Sequence, residues 1–229
     1  MSDIIHVVVS KSYKDVFTDF MGTLQLYVEN FKVHLVELDE LNIDLPFAEK
    51  ITVTGNDWKK RICQIKITSL LDFDYELGDR VLVLDSDLLF KCNPFEVFDI
   101  FKGGDVFLST RDYKSIYPVI GCFWGFVWNE KTERLLRYFK ENAIKPTWGA
   151  LNSLKRKWGH NTSWWIDQDL LCALYLKGFG DVKIKDIGWH YSYDMVGKRK
   201  NMTKVKEGIQ IFSAKVLHYK KSKELRDRK

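Results

Sequence analysis

The stretch from Arg80 to Phe90, R-V-L-V-L-D-S-D-L-L-F, limits what this chain can fold into more than any other. Val81 to Leu84 form an unbroken apolar run that ends on two aspartates one residue apart, Asp85 and Asp87. A run of that length, built from Val and Leu, reads as a strand buried on both faces of a sheet. Burying one carboxylate costs free energy, and burying two as neighbours costs more. The pair therefore needs a cation or a proton. The strand is expected to deliver both carboxylates to the mouth of a sheet. There they would hold a divalent metal that in turn holds a phosphorylated ligand.

The rest of the chain supplies the layers that such a strand needs. Ile4 to Ser10 reads as a first strand, followed by the polar loop Ser10-Lys11-Ser12-Tyr13. From Lys14 to Asn30 the apolar residues recur every three or four positions, which predicts an amphipathic helix. Strands are expected at Val33–Leu38, Ile51–Thr54, Asp105–Thr110, Val119–Trp128, Val182–Ile187 and Ile209–His218. Helices are expected over Asp57–Phe73, Phe95–Phe101, Glu130–Asn142 and Asp167–Lys177, the last stopped by Gly178. Gly121 and Gly125 mark a strand that lies close to other backbone. Alternating strands and helices imply an α/β fold, with a mainly parallel central sheet covered by helices on both faces. A length of 229 residues suits one such domain with elaborations.

With 45% hydrophobic residues and 14% aromatics, the composition excludes a disordered chain. No apolar run approaches the roughly 18 residues of a membrane span. Met1-Ser2-Asp3 is not basic, and the apolar run behind it is broken by His6, so no signal peptide is expected and the cytoplasm is the expected location. The sequons at Asn161 and Asn201 then carry no meaning. Cys63, Cys92, Cys122 and Cys172 are widely spaced and read as reduced thiols rather than a zinc site or disulfides. Charge is uneven. Lys198 to Lys229 holds twelve Lys or Arg against three acids, and the residues before it carry net negative charge. Such a segment suits phosphates, anionic lipid headgroups or nucleic acid, or, for Lys223 to Lys229, simple solvation.

In an open α/β sheet, ligands bind beyond the carboxyl ends of the strands. Ser10 to Tyr13 and Asp85-Ser86-Asp87 both lie at such ends. A V-L-V-L-D-x-D element serves at least two machineries, the metal site of nucleotide-sugar glycosyltransferases and the nucleophile of haloacid-dehalogenase phosphatases. The phosphatase motif continues with Thr or Val and sits near the first strand, whereas Leu88-Leu89-Phe90 follows here. Taken in order, the motifs resemble the GT-A glycosyltransferases, in particular the type that includes glycogenin and the bacterial lipooligosaccharide galactosyltransferases. Asp167-Gln168-Asp169-Leu170-Leu171 resembles that family's D-Q-D-x-L helix start. Val216-Leu217-His218-Tyr219 resembles its strand ending in a metal-binding histidine. Gly121 to Gly125 falls at its glycine turn, with Phe123-Trp124 replacing the usual Asn-Ser. The Gly and Pro-Trp that usually follow the histidine are missing.

The resemblance implies one GT-A-like catalytic domain over residues 1–219 and a basic tail over 220–229. It implies that Asp85, Asp87 and His218 hold Mn2+ or Mg2+, with Asp85 and Ser86 also near the donor. Ser10, Ser12, Tyr13, Arg61, Lys66, Lys220 and Lys221 would bind a UDP-sugar, and Lys223 is a further candidate over the phosphates. Asp167 would meet sugar hydroxyls and Gln168 the anomeric carbon. If the reaction inverts, Asp167 or Asp169 becomes the general base. Either aspartate could instead simply cap its helix. Trp164, Trp165, Trp189, Tyr191 and Tyr193, with His190 among them, suit a glycan or glycolipid acceptor platform or buried packing. His6, His34 and His160 have no partner pattern and read as structural or exposed. A nucleotidyltransferase would show a glycine-rich loop after the first strand, and Ser10 to Tyr13 has no glycine. A carbohydrate-binding protein would leave the acidic pair without a role. No nucleic-acid signature is present.

Overall fold

The computed structural model describes residues 1–55, 58–90, 92–110, 118–144, 166–188 and 212–213. Strands β1 (Asp3–Ser10), β2 (Lys32–Leu38), β3 (Ala48–Val53), β4 (Arg80–Asp85), β6 (Val106–Thr110), β7 (Val119–Val127) and β8 (Ile184–Asp186) form one sheet, in the order β3-β2-β1-β4-β7-β6-β8. β1 to β4 run parallel, β7 runs against β4 and β6, and β8 is parallel to β6. A single strand, β7, therefore opposes the rest, which matches the mainly parallel α/β sheet expected from the sequence. A short second ladder pairs β5 (Leu88–Leu89) with β9 (Phe212–Ser213), antiparallel.

Val81 to Leu84 are completely buried, as their unbroken apolar character requires. One face of β1 and β4 (Ile5, Val7, Val9, Leu82, Leu84) packs under α1 (Lys14–Gln25) and α3 (Glu96–Ile100). The other face (Ile4, Val81, Val83) packs under α2 (Trp58–Thr68), α4 (Glu130–Ile144) and α5 (Ile166–Lys177). Gly125 sits where β7 crosses β4. A Cβ there would lie 2.8 Å from the Val81 carbonyl oxygen, so the close backbone approach needs glycine.

Several boundaries differ from the expected ones. α1 stops at Gln25 rather than Asn30, because the chain turns with Tyr27 and Val28 both donating to the Leu24 carbonyl. Val28 stays in the core from this turn, which is why the helical spacing seemed to continue. The helix expected over 57–73 ends at Thr68 and tightens into a 3-10 turn over Ser69–Asp72. Gly178, at φ +71°, terminates α5 where expected. Of the strand expected at 209–218, the described residues are Phe212–Ser213.

His6 and His34 are neighbours across β1 and β2 and are fully buried. Ser69 donates its hydroxyl proton to the Ile65 carbonyl at 2.7 Å. Its oxygen is then free to accept from His6 Nε2 at 3.1 Å. His34 stacks on Phe73, with ring centroids 4.3 Å apart. Burial first, then the neighbouring His34, pulls the His6 imidazole down to about 3. Burial first, then Lys32, pulls His34 down to about 4. Between pH 6.5 and those values the unfolded chain takes up protons that the folded chain refuses. Stability is thus full above about pH 6.5 and falls as the pH drops toward 4. In denaturant titrations across this window, His34→Phe should flatten the acid-side slope relative to wild type.

Candidate active site

The sheet order places the site. β1 leads through α1 to β2 on one side, and α2 brings the chain back to β4 on the other. The connections diverge between β1 and β4, and a doubly wound sheet opens its ligand crevice at such a switch point. Val8 pairs with Asp85, so Ser10 and the acidic pair emerge at the same carboxyl edge. Ser10 is buried, Ser12 is exposed and Tyr13 is half-buried against the core. Their loop is a single 3-10 turn, Lys11–Tyr13, in which the Ser10 and Ser12 hydroxyls lie 3.2 Å apart.

Asp85 keeps 45% of its side chain exposed. Ser86 and Asp87 are buried. β7 is antiparallel, so it is its beginning, Val119 to Gly121, that lies at the carboxyl edge beside them. The amino end of α5 docks there. Gln168 is buried and its side-chain amide donates to the Val119 carbonyl at 3.0 Å.

Lys66 joins these parts. Its ammonium is buried and donates to Asp85 Oδ1 at 2.6 Å and to the Gly121 carbonyl at 2.7 Å. Asp167 Oδ2 lies 3.7 Å from the same nitrogen. The ammonium thus makes two hydrogen bonds and one longer ion pair. Burial works against its charge, but the Asp85 and Asp167 carboxylates outweigh burial and hold the ammonium well above its ordinary range. Asp167 is itself buried, and burial first, with Asp85 adding, raises its carboxyl above the ordinary range. Lys66, the Gln168 backbone N–H at 2.7 Å and the Cys63 thiol act in the opposite direction.

The acidic pair offers hard oxygen donors, a set that suits Mn2+ or Mg2+ rather than a soft metal. Asp85 retains exposed oxygen despite its lysine contact. Among the described residues no three His, Cys, Asp or Glu side chains cluster to hold an ion. A closed site therefore requires a ligand from elsewhere, and His218 lies outside the described residues. A cavity of about 830 Å³ opens at the opposite edge of the sheet, among Met1, Phe31, Phe47 and Arg80. It is a poorer candidate because Arg80 is already paired with Asp3 and Asp99.

No family model and no curated protein matches the chain. Among solved structures, the glycosyltransferase GlyE of Streptococcus pneumoniae TIGR4 superposes with a TM-score of 0.53 at 15% identity, over 84% of this chain and 46% of that one. The fold is similar to that of a glycosyltransferase. The apo form of GlyE gives 0.49 at 15% identity, over 83% and 46%. This chain spans less than half the length of GlyE.

Of the residues singled out in the sequence, Asp85, Ser86, Asp87, Lys66, Asp167, Gln168, Asp169, Ser10, Ser12 and Tyr13 fall at this edge or on the elements that build it. Arg61 is exposed on α2, five residues from Lys66, and so on a different face of the helix. Lys220, Lys221, Lys223, His160, His190, Trp164, Trp165, Trp189, Tyr191, Tyr193 and both sequons lie outside the described residues. Asp167 accepts a first-turn N–H and also faces Lys66, so a helix-start contact and an ion pair coincide on one carboxylate. Gly121, expected within a strand that lies close to other backbone, is in β7 as expected. What escaped the sequence reading is the use of its carbonyl, which accepts from Lys66.

A Cβ on Gly121 would approach Asp167 Oδ2 to 3.2 Å. Asp167 is held from several sides and cannot easily give way. Gly121→Ala should therefore cost about 1–3 kcal/mol in denaturant unfolding. The penalty should shrink in an Asp167→Ala background, where the obstructing carboxylate is gone.

Proposed function

We propose that this chain is a metal-dependent glycosyltransferase of GT-A type, transferring a sugar from a UDP-sugar to a glycan or lipid-linked acceptor, with retention. The observation that carries this reading is the acidic pair Asp85 and Asp87 at the carboxyl end of β4, beside β1 at the switch point, in a fold similar to that of a glycosyltransferase. Asp85, Asp87 and His218 would hold Mn2+ or Mg2+. Support for His218 comes from the β5–β9 register, in which Ser213, five residues before His218 in the sequence, pairs with Leu88, next to Asp87. When bound, the ion supplies Lewis-acid stabilisation of the departing diphosphate.

The chain's own residues bind and orient. Ser10, Ser12 and Tyr13 sit where the nucleoside would lie, with Ser86 beside them. Arg61, Lys220 and Lys221 are the candidates for the phosphates. Lys66 is buried, donates to Asp85 and the Gly121 carbonyl and is ion-paired with Asp167, so it would act on the donor through Asp85 and Asp167. Asp167 would receive sugar hydroxyls, and Gln168 would stand near the anomeric carbon. In an inverting reaction Asp167, whose carboxyl burial raises above its ordinary range, or Asp169 would be the general base. The basic stretch 198–229 would favour an acceptor at an anionic lipid surface.

A thermal-shift screen of nucleotide sugars tests the reading. A UDP-sugar at about 100 times its dissociation constant should raise Tm by roughly 5–10 °C, and only when Mn2+ is present. Asp87→Asn should abolish the shift. Equal stabilisation of that variant, or no response to any nucleotide sugar, would remove the metal site from the account. Metal-dependent release of UDP then separates a transferase from a binder.

A further inference from the structure

We infer that the Lys66 ammonium keeps the empty site from holding its divalent ion tightly, so that the ion is retained only together with the donor's diphosphate. This control acts on the metal site proposed for Asp85 and Asp87 and rests on that reading. Lys66 donates to Asp85 Oδ1 at 2.6 Å. Asp85 is thus a ligand that already carries a cation on one oxygen. Its side chain is partly exposed, and an ion would meet the oxygen that Lys66 leaves. Two cations on one carboxylate lie well inside the Debye length of about 8 Å at physiological salt, so salt does little to separate them.

The ammonium is not free to step aside. It is buried, and the Gly121 carbonyl accepts from it at 2.7 Å. Gly121 lies within β7, so the sheet fixes that carbonyl. Asp167 Oδ2, 3.7 Å away, adds a charged partner from α5. Asp167 is buried as well, and withdrawing the ammonium would strip its carboxylate of this counter-ion. A lysine on the surface would swing into water when an ion arrived. Lys66 is instead tied to β4, β7 and α5 at once. The bare ion therefore brings two positive charges toward a fixed third. With a nucleoside diphosphate the phosphates cancel the ion's charge, and most of the repulsion disappears.

Titration of Mn2+ followed by electron paramagnetic resonance reads ion binding without turnover. Lys66→Gln keeps hydrogen-bond donors and removes the charge. Without nucleotide it should bind Mn2+ at least about tenfold more tightly than wild type. With saturating UDP the difference should narrow to within about threefold. Because Lys66→Gln leaves Asp167 buried without its counter-ion, a second comparison sets Asp167→Asn against Asp167→Asn with Lys66→Gln, where that carboxylate is gone. No gain in Mn2+ binding on loss of the charge, in variants that fold, would overturn the inference and leave the metal site standing. Mn2+ binding that Asp87→Asn does not diminish, or no Mn2+ binding with or without UDP, would remove the metal-site reading itself and this inference with it.

Discussion

One buried ammonium makes the rest of the site tenable. Asp85 and Asp167 lie far apart in the chain and converge on Lys66. Two carboxylates this close to the core would be costly without a counter-ion. At about 4 Å and an effective dielectric near 20, each ion contact is worth on the order of 4 kcal/mol before desolvation. Lys66 is fully desolvated and stays charged because two carboxylates face it. The Gly121 carbonyl accepts a second hydrogen bond from the ammonium, beside the one to Asp85.

That arrangement depends on strand direction. In an all-parallel sheet the strand beside β4 would present its last residues at the carboxyl edge. β7 is reversed, so it presents Val119 to Gly121 there instead. Those residues bring two carbonyls to the edge, one for Lys66 and one for Gln168. Gly121 leaves room for Asp167, and Gly125 lets β7 approach β4. The two glycines of this strand thus serve different ends, one the site and the other the sheet.

The sheet was legible in the sequence where a pattern had a single physical meaning. Val81 to Leu84 could hardly be anything but an interior strand, and they are fully buried. Glycine at Gly178 stopped a helix where expected. The site was legible as separate pieces rather than as a connected whole. Asp85 and Asp87 announced themselves through their cost, and Asp167 and Gln168 through a motif at a helix start. Lys66 was singled out only through the resemblance, as a donor-binding residue, because nothing local distinguishes a lysine facing water from one facing two distant carboxylates. Helix ends were missed where a tertiary contact, such as the burial of Val28 beyond α1, mimicked the helical period.

The central claim is that Asp85 and Asp167, which act through Lys66, form one electrostatic unit. A double-mutant cycle of Asp85→Asn and Asp167→Asn on denaturant unfolding tests it most directly. With either aspartate present the ammonium keeps a charged partner, and with neither it is buried without one. The account predicts that the double variant is less stable than the sum of the single changes, by about 1–3 kcal/mol. Additivity to within about 0.5 kcal/mol would mean that the two carboxylates do not share the lysine and would contradict the account.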